Sequence, residues 1–127
     1  MTASAIRHLA AARMAPRVAA VLFKHTIQLW DLHTAEQLSQ FNTVLDYGGR
    51  RVALNPTGEL CVAAAWTKGR HGGVACYDAL TGFLLWHRTD IRHTQRVRFS
   101  CAGESIWCGV QGGSIRSHRA CSIYMIS

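Results

Sequence analysis

Histidine, cysteine and carboxylate side chains could do chemistry here, and their spacing argues that they do not. His8, His25, His33, His71, His87, His93 and His118 include no pair at ligand spacing on a helix. Cys61, Cys76, Cys101, Cys108 and Cys121 form no C-x-x-C, so a zinc site is not indicated. Their odd count and irregular spacing argue against a disulfide framework and fit a reduced, cytoplasmic compartment. Each cysteine reads as a small buried hydrophobe. A nucleophile needs a base and an orienting acid close by. Cys76 and Ser105 have no adjacent candidate, and G-x-S-x-G is absent. Glu59 and Glu104 recur in equivalent turns, which repetition alone explains. No catalytic, metal or cofactor-binding residue is expected, and the chain is not expected to be an enzyme.

Positive charge is the remaining chemical feature. The formal charge is +7, and only Lys24 and Lys68 are lysines. The arginines are spread along the chain, with the densest run from Arg88 through Arg92 and Arg96 to Arg98. Residues 67–73, Thr-Lys-Gly-Arg-His-Gly-Gly, make a basic and flexible loop. Loops on one face of a scaffold usually carry its contacts. The candidate partner-binding residues are therefore Lys68, Arg70, His71, Arg88, Arg92, Arg96 and Arg98. Nucleic acid is disfavoured, because no aromatic is interleaved with these arginines at stacking spacing. An anionic partner stays open, and it would bind with steep salt dependence.

The elements that must position these side chains are strands. At 127 residues the chain has the length of one domain, and 49% hydrophobic residues suit an ordered protein. Residues 1–17 hold three arginines and no acid. They read as a disordered leader or a short helix, with Ile6, Leu9, Ala10 and Arg13 at helical spacing. The trailing end of an earlier strand unit is the other reading. No stretch approaches the roughly 18 apolar residues of a membrane span. The apolar run at 18–23 is too short for a secretory signal.

From residue 18 the chain repeats. Residues 18–23, 26–31 and 37–41 read as three strands, with Ile27 and Leu29 alternating against Gln28 and Trp30. Asp31 and Asp78 stand 47 residues apart, each following an aromatic residue and followed three positions later by threonine. Arg51-Val-Ala-Leu-Asn-Pro-Thr-Gly-Glu matches Arg96-Val-Arg-Phe-Ser-Cys-Ala-Gly-Glu, 45 residues later. In both, glycine supplies the positive φ of a tight turn. A period near 45 belongs to β-propeller blades. The expected fold is all-β, a partial β-propeller of four-stranded antiparallel blades. Residues 18–41 form a partial blade, 51–88 a complete one and 96–117 another partial one, with 118–127 an out-of-register tail.

These residues resemble the WD-repeat β-propeller family. Leu29-Trp30-Asp31 with Thr34, and Tyr77-Asp78 with Thr81-Gly82, look like that family's third-strand ending. The turns at 55–58 and 100–103 are similar to its Ser/Asn-Pro-x-Gly turn. The Gly-His dipeptide is absent, so Asp31 and Asp78 are expected to cap turns rather than join the family's tetrad. Asp78, Thr81, Gly82 and Trp86 also resemble the quinoprotein-like propeller repeat, but Ala35 and Ser39 break that pattern in the first copy. No quinone cofactor is expected. Trp30, Trp66, Trp86 and Trp107 are expected to pack between blades.

About two and a half blades are too few for a ring of four to eight. Open faces and strand edges promote association. The chain is thus expected to assemble with copies of itself, to complete another chain's propeller, or to be a fragment of a larger one. The resemblance implies a non-enzymatic protein-interaction scaffold. The alternatives are a quinoprotein-like domain or an arginine-rich module for an anionic partner.

Overall fold

The computed structural model describes residues 6–22, 26–45, 51–65, 72–91, 94–100, 103, 105–110 and 115–119. Among them there are eleven strands in three antiparallel sheets and no helix. Blade 1 is β1 (Ile6–Ala11), β2 (Arg17–Leu22), β3 (Thr26–Asp31) and β4 (Gln37–Asn42) in sequential order. Blade 2 is β5 (Arg51–Leu54), β6 (Leu60–Ala64), β7 (Val74–Asp78) and β8 (Leu84–Arg88). Blade 3 has three described strands, β9 (Thr94–Phe99), β10 (Ser105–Val110) and β11 (Ile115–Arg119). The all-β fold of four-stranded antiparallel blades expected from the sequence is the one observed.

One expectation is corrected at the N-terminus. Ile6–Ala11, expected as a disordered segment or a short helix, is a strand that pairs antiparallel with β2, Leu9 opposite Ala20 and Ala11 opposite Val18. It makes blade 1 four-stranded where three strands were expected. Blade 3 also extends beyond 117, since β11 continues to Arg119 in register with β10.

The inner strands of blade 2 are apolar on both alternating faces, and stacking between its neighbours buries both. Ala19, Val21, Ile27 and Leu29 of blade 1 meet Val52, Leu54, Cys61, Ala63 and Tyr77 of blade 2. On its other face blade 2 offers Ala53, Val62, Ala64 and Val74 to Val97, Ile106 and Cys108 of blade 3. Tyr77 is the largest fully buried side chain, 1% exposed. Its hydroxyl accepts the Val44 amide at 2.9 Å, and its ring lies 5.2 Å from that of Phe41 across the blade junction. Burial pushes its pKa up to about 12.

The repeated turns are built alike. Asp31 Oδ1 accepts the amides of His33 and Thr34 at 2.8 and 3.0 Å. Asp78 Oδ1 accepts those of Leu80 and Thr81 at 3.1 and 3.0 Å. These bonds hold both carboxyls below the usual carboxylate range. Both aspartates cap turns, as expected. The turns after β5 and β9 also match. Asn55 Oδ1 takes the Leu60 amide as Ser100 Oγ takes that of Ser105, and Gly58 and Gly103 adopt φ of +74° and +76°.

Candidate functional site

The first strand of each blade is the innermost one, because β1, β5 and β9 pack side by side while the later strands fan outward. Where these three meet, they and the turns beside them enclose a cleft of about 650 Å³. Backbone order explains why cations gather there. In register with their second strands, His8, Arg51 and Arg96 occupy the same position in the three blades, opposite Val21, Ala64 and Gly109. The stacking of blades therefore brings two arginines and a histidine into a single arc. Arg98 adds to it from β9 and Arg13 from the β1–β2 turn. Among the described lining residues none is acidic. Leu9, Leu54, Pro56, Val97 and half-buried Phe99 supply apolar wall between the charges.

His8 joins two blades. Its Nδ1 accepts the Val52 amide at 3.1 Å, which requires the neutral ring with its proton on Nε2. Partial burial, then the Arg51 guanidinium, hold its pKa below the ordinary histidine value. Arg13, Arg96 and Arg98 have no carboxylate partner among the described residues. Gathered cations in a partly enclosed site attract anions more strongly than the same charges on an open surface.

The structure divides the residues expected to bind a partner. Arg96 and Arg98 are exposed and line the cleft. Arg88 lies on the outer strand β8, where its Nη2 pairs with Asp90 at 2.7 Å. It is not brought to the arginines at 96 and 98, although all three belong to one sequence run. Lys68, Arg70, His71 and Arg92 lie outside the described residues. His8, Arg13 and Arg51 were not singled out by the sequence. The signal for Arg51 was present in its repeat match to Arg96.

The thiols of Cys61 and Cys76 are poor nucleophiles. Cys61, Cys76 and Cys108 are buried, and none is in a disulfide. Burial raises the Cys61 pKa strongly and pushes that of Cys76 up to about 12, so neither carries a thiolate near neutrality. Among the described residues no three histidine, cysteine or acidic side chains converge as a metal site. None of the described residues forms a helix long and apolar enough to cross a membrane.

No protein-family model matches the sequence, and no curated protein does. Among solved structures, the chain is similar to Kuenenia stuttgartiensis hydrazine synthase, with a TM-score of 0.74 and 11% identity over 90% of this chain. The chain spans about a third of that protein's length, 32%. At such low identity the likeness is one of fold, the stacking of propeller blades, and it carries no chemistry with it.

Proposed function

We propose that this chain is a non-enzymatic protein-interaction scaffold of WD-repeat-like propeller blades, and that its inner-strand cleft takes an acidic segment of the partner. The observation that carries this reading is the gathering of Arg51 and Arg96 with Arg13 and Arg98, beside the neutral ring of His8, with no acid among the described lining residues. A volume of about 650 Å³ suits a short peptide segment or another small ligand. The alternation of leucine, valine and proline wall with arginine favours a chain that carries both carboxylates and apolar side chains. Nucleic acid fits less well, because single-strand sites rely on several aromatic stacking platforms, and Phe99 is the one aromatic among the described lining residues. Buried thiols at Cys61, Cys76 and Cys108, none of them in a disulfide, support a reducing, cytoplasmic setting.

Fluorescence anisotropy tests this with a labelled decapeptide rich in glutamate and leucine, beside a single-stranded oligonucleotide of equal charge. The peptide should bind, and affinity should fall as salt rises. The Arg96→Glu/Arg98→Glu variant should lose at least tenfold in affinity. Arg88→Glu, outside the cleft, should lose little. Equal losses from Arg88→Glu and from the cleft variant, or preference for the oligonucleotide, would overturn the reading.

A further inference from the structure

The cleft is lined by backbone as well as by arginine. In an antiparallel sheet each residue turns its N–H and C=O to one side, and the next residue turns them to the other. Ala12, Asn55 and Ser100 donate their amides to the Arg17, Leu60 and Ser105 carbonyls at 2.8, 3.1 and 2.8 Å, each toward the second strand of its own blade. The residues before these three, Ala11, Leu54 and Phe99, and Leu9, Val52 and Val97 two further back, therefore turn their peptide groups the other way. All six line the cleft. Val52 shows the direction, since its amide donates to His8 Nδ1 in blade 1 and not to β6. The other five amides have no acceptor among the described residues.

The three inner edges are not alike. On β5 His8 already takes the Val52 amide, and only that of Leu54 is left. The one polar side chain that β1 brings to the cleft is His8, held as a neutral ring. On β9 the Val97 and Phe99 amides are both open, and the exposed side chains of Arg96 and Arg98 alternate with them. An unpaired edge is a template for a further strand. When a segment adds to such an edge, backbone bonds supply affinity and alternate side chains supply specificity. Cross-strand neighbours stand about 5 Å apart at Cβ. Residues opposite Arg96 and Arg98 would each meet a guanidinium, and the residue between them would meet Val97, which is buried against blade 2.

We propose that the acidic segment binds as an extended strand paired with the open edge of β9, with carboxylates at every second residue, opposite Arg96 and Arg98, and an apolar residue between them. This rests on the cleft being the partner site, and it adds the conformation and the residue spacing of what enters. Charge complementarity selects the acidic positions, and the apolar wall at Val97 and Phe99 selects the residues between. A helical segment would spend its amides on its own carbonyls and leave those of Val97 and Phe99 unpaired.

Fluorescence anisotropy on the 127-residue chain tests this with a labelled decapeptide that alternates glutamate and leucine. One derivative is N-methylated on its leucine amides and another on its glutamate amides. In a paired strand only alternate amides face β9, so one derivative should lose about tenfold or more in affinity and the other little. Loss on leucine marks an antiparallel strand and loss on glutamate a parallel one, and either supports the proposal. A peptide of the same composition with its glutamates in one block should bind more weakly than the alternating one. Equal effects of the two methylation patterns, or equal binding of the block peptide, would overturn the strand proposal. The cleft reading would survive that result if the unmodified peptide still lost its affinity for the Arg96→Glu/Arg98→Glu variant. An unmodified peptide that does not bind, or that binds this variant equally well, would overturn both.

Discussion

The His8 ring accepts a hydrogen bond from the Val52 amide, 3.1 Å away, and so ties the innermost strand of blade 1 to that of blade 2. Only the neutral ring can do this. Its pKa is lowered in the fold, by burial first and by Arg51 second, so the unfolded chain binds the proton more readily. The stabilisation is therefore complete above the ordinary histidine value of 6.5 and is lost as pH falls below it, through the folded-state pKa. His8→Ala should cost about 0.5–1.5 kcal/mol near pH 7.5, the net worth of one such bond. The gap in Tm between wild type and variant should narrow by about pH 5. Thermal melts at both pH values check this, and a gap that does not change with pH would show that His8 matters only by packing.

Tyr77 and Trp30 occupy one repeat position, each just before a turn-capping aspartate, yet they have different surroundings. Tyr77 is buried between blades, whereas Trp30 is half-buried and donates its indole N–H to Gln28 at 3.1 Å. The inter-blade role expected of Trp30 is thus filled within the chain by Tyr77. Tyr77→Ala should cost about 3–5 kcal/mol, as a large aromatic removed from a core does. Tyr77→Phe should cost about 1 kcal/mol for the lost bond to Val44. Trp30→Ala should cost under about 2 kcal/mol. Denaturant titration of the three variants ranks them. A Trp30 loss as large as that of Tyr77 would place its ring in a junction within the chain.

What could be read from the sequence was what is local. The aspartate-capped turns and the glycine turns at 58 and 103 are specified within a few residues, and blade 2 came out with its observed bounds of Arg51–Arg88. β1 was hidden because Ile6, Leu9, Ala10 and Arg13 fall at helical spacing and the segment holds one β-branched residue. Its strand state comes from β2 and β5, which are distant in sequence. The basic arc was hidden for the same reason. Arg51 and Arg96 are 45 residues apart, but His8 precedes Arg51 by 43, and the β1–β2 turn lacks the Asn/Ser-x-x-Gly signature that marks the other two. Only the stacking of blades identifies the three as equivalent. Run density, which grouped Arg88 with Arg96 and Arg98, followed the chain across a blade boundary instead.

Ala35 sits where the second copy of the turn has Gly82, and both adopt the left-handed region, at φ of 60° and 77°. A Cβ in that region costs about 1 kcal/mol, which glycine avoids. Ala35 is exposed, so no packing is lost with its methyl group. Ala35→Gly should therefore stabilise the fold by up to about 1 kcal/mol, reduced by the greater freedom of glycine in the unfolded chain. The reverse change, Gly82→Ala, should destabilise, because the new Cβ would also lie 2.7 Å from Phe41 across the junction. Opposite signs in chemical denaturation are the expected outcome. Destabilisation by both would mean that the backbone, not the residue, sets the cost of the turn.

Gly73 enters β7 at φ +79°, and a Cβ there would fall 1.8 Å from the Arg88 carbonyl oxygen. The outer edge of blade 2 closes at this point. Ala65 donates its amide to the Gly73 oxygen at 2.9 Å, and His87 Nε2 lies 2.6 Å from the Gly72 oxygen. Gly73→Ala must move either β7 or the end of β8, and both are held by their neighbours. The loss should exceed about 2 kcal/mol, combining a strained φ with backbone displacement. Because β7 and β8 carry the middle of the stack, the loss should appear as cooperative unfolding of the whole chain. Hydrogen exchange resolves this: amides of blades 1 and 3 should lose protection together with those of blade 2. Loss confined to β8 would mean that the outer strand frays independently of the blades on either side.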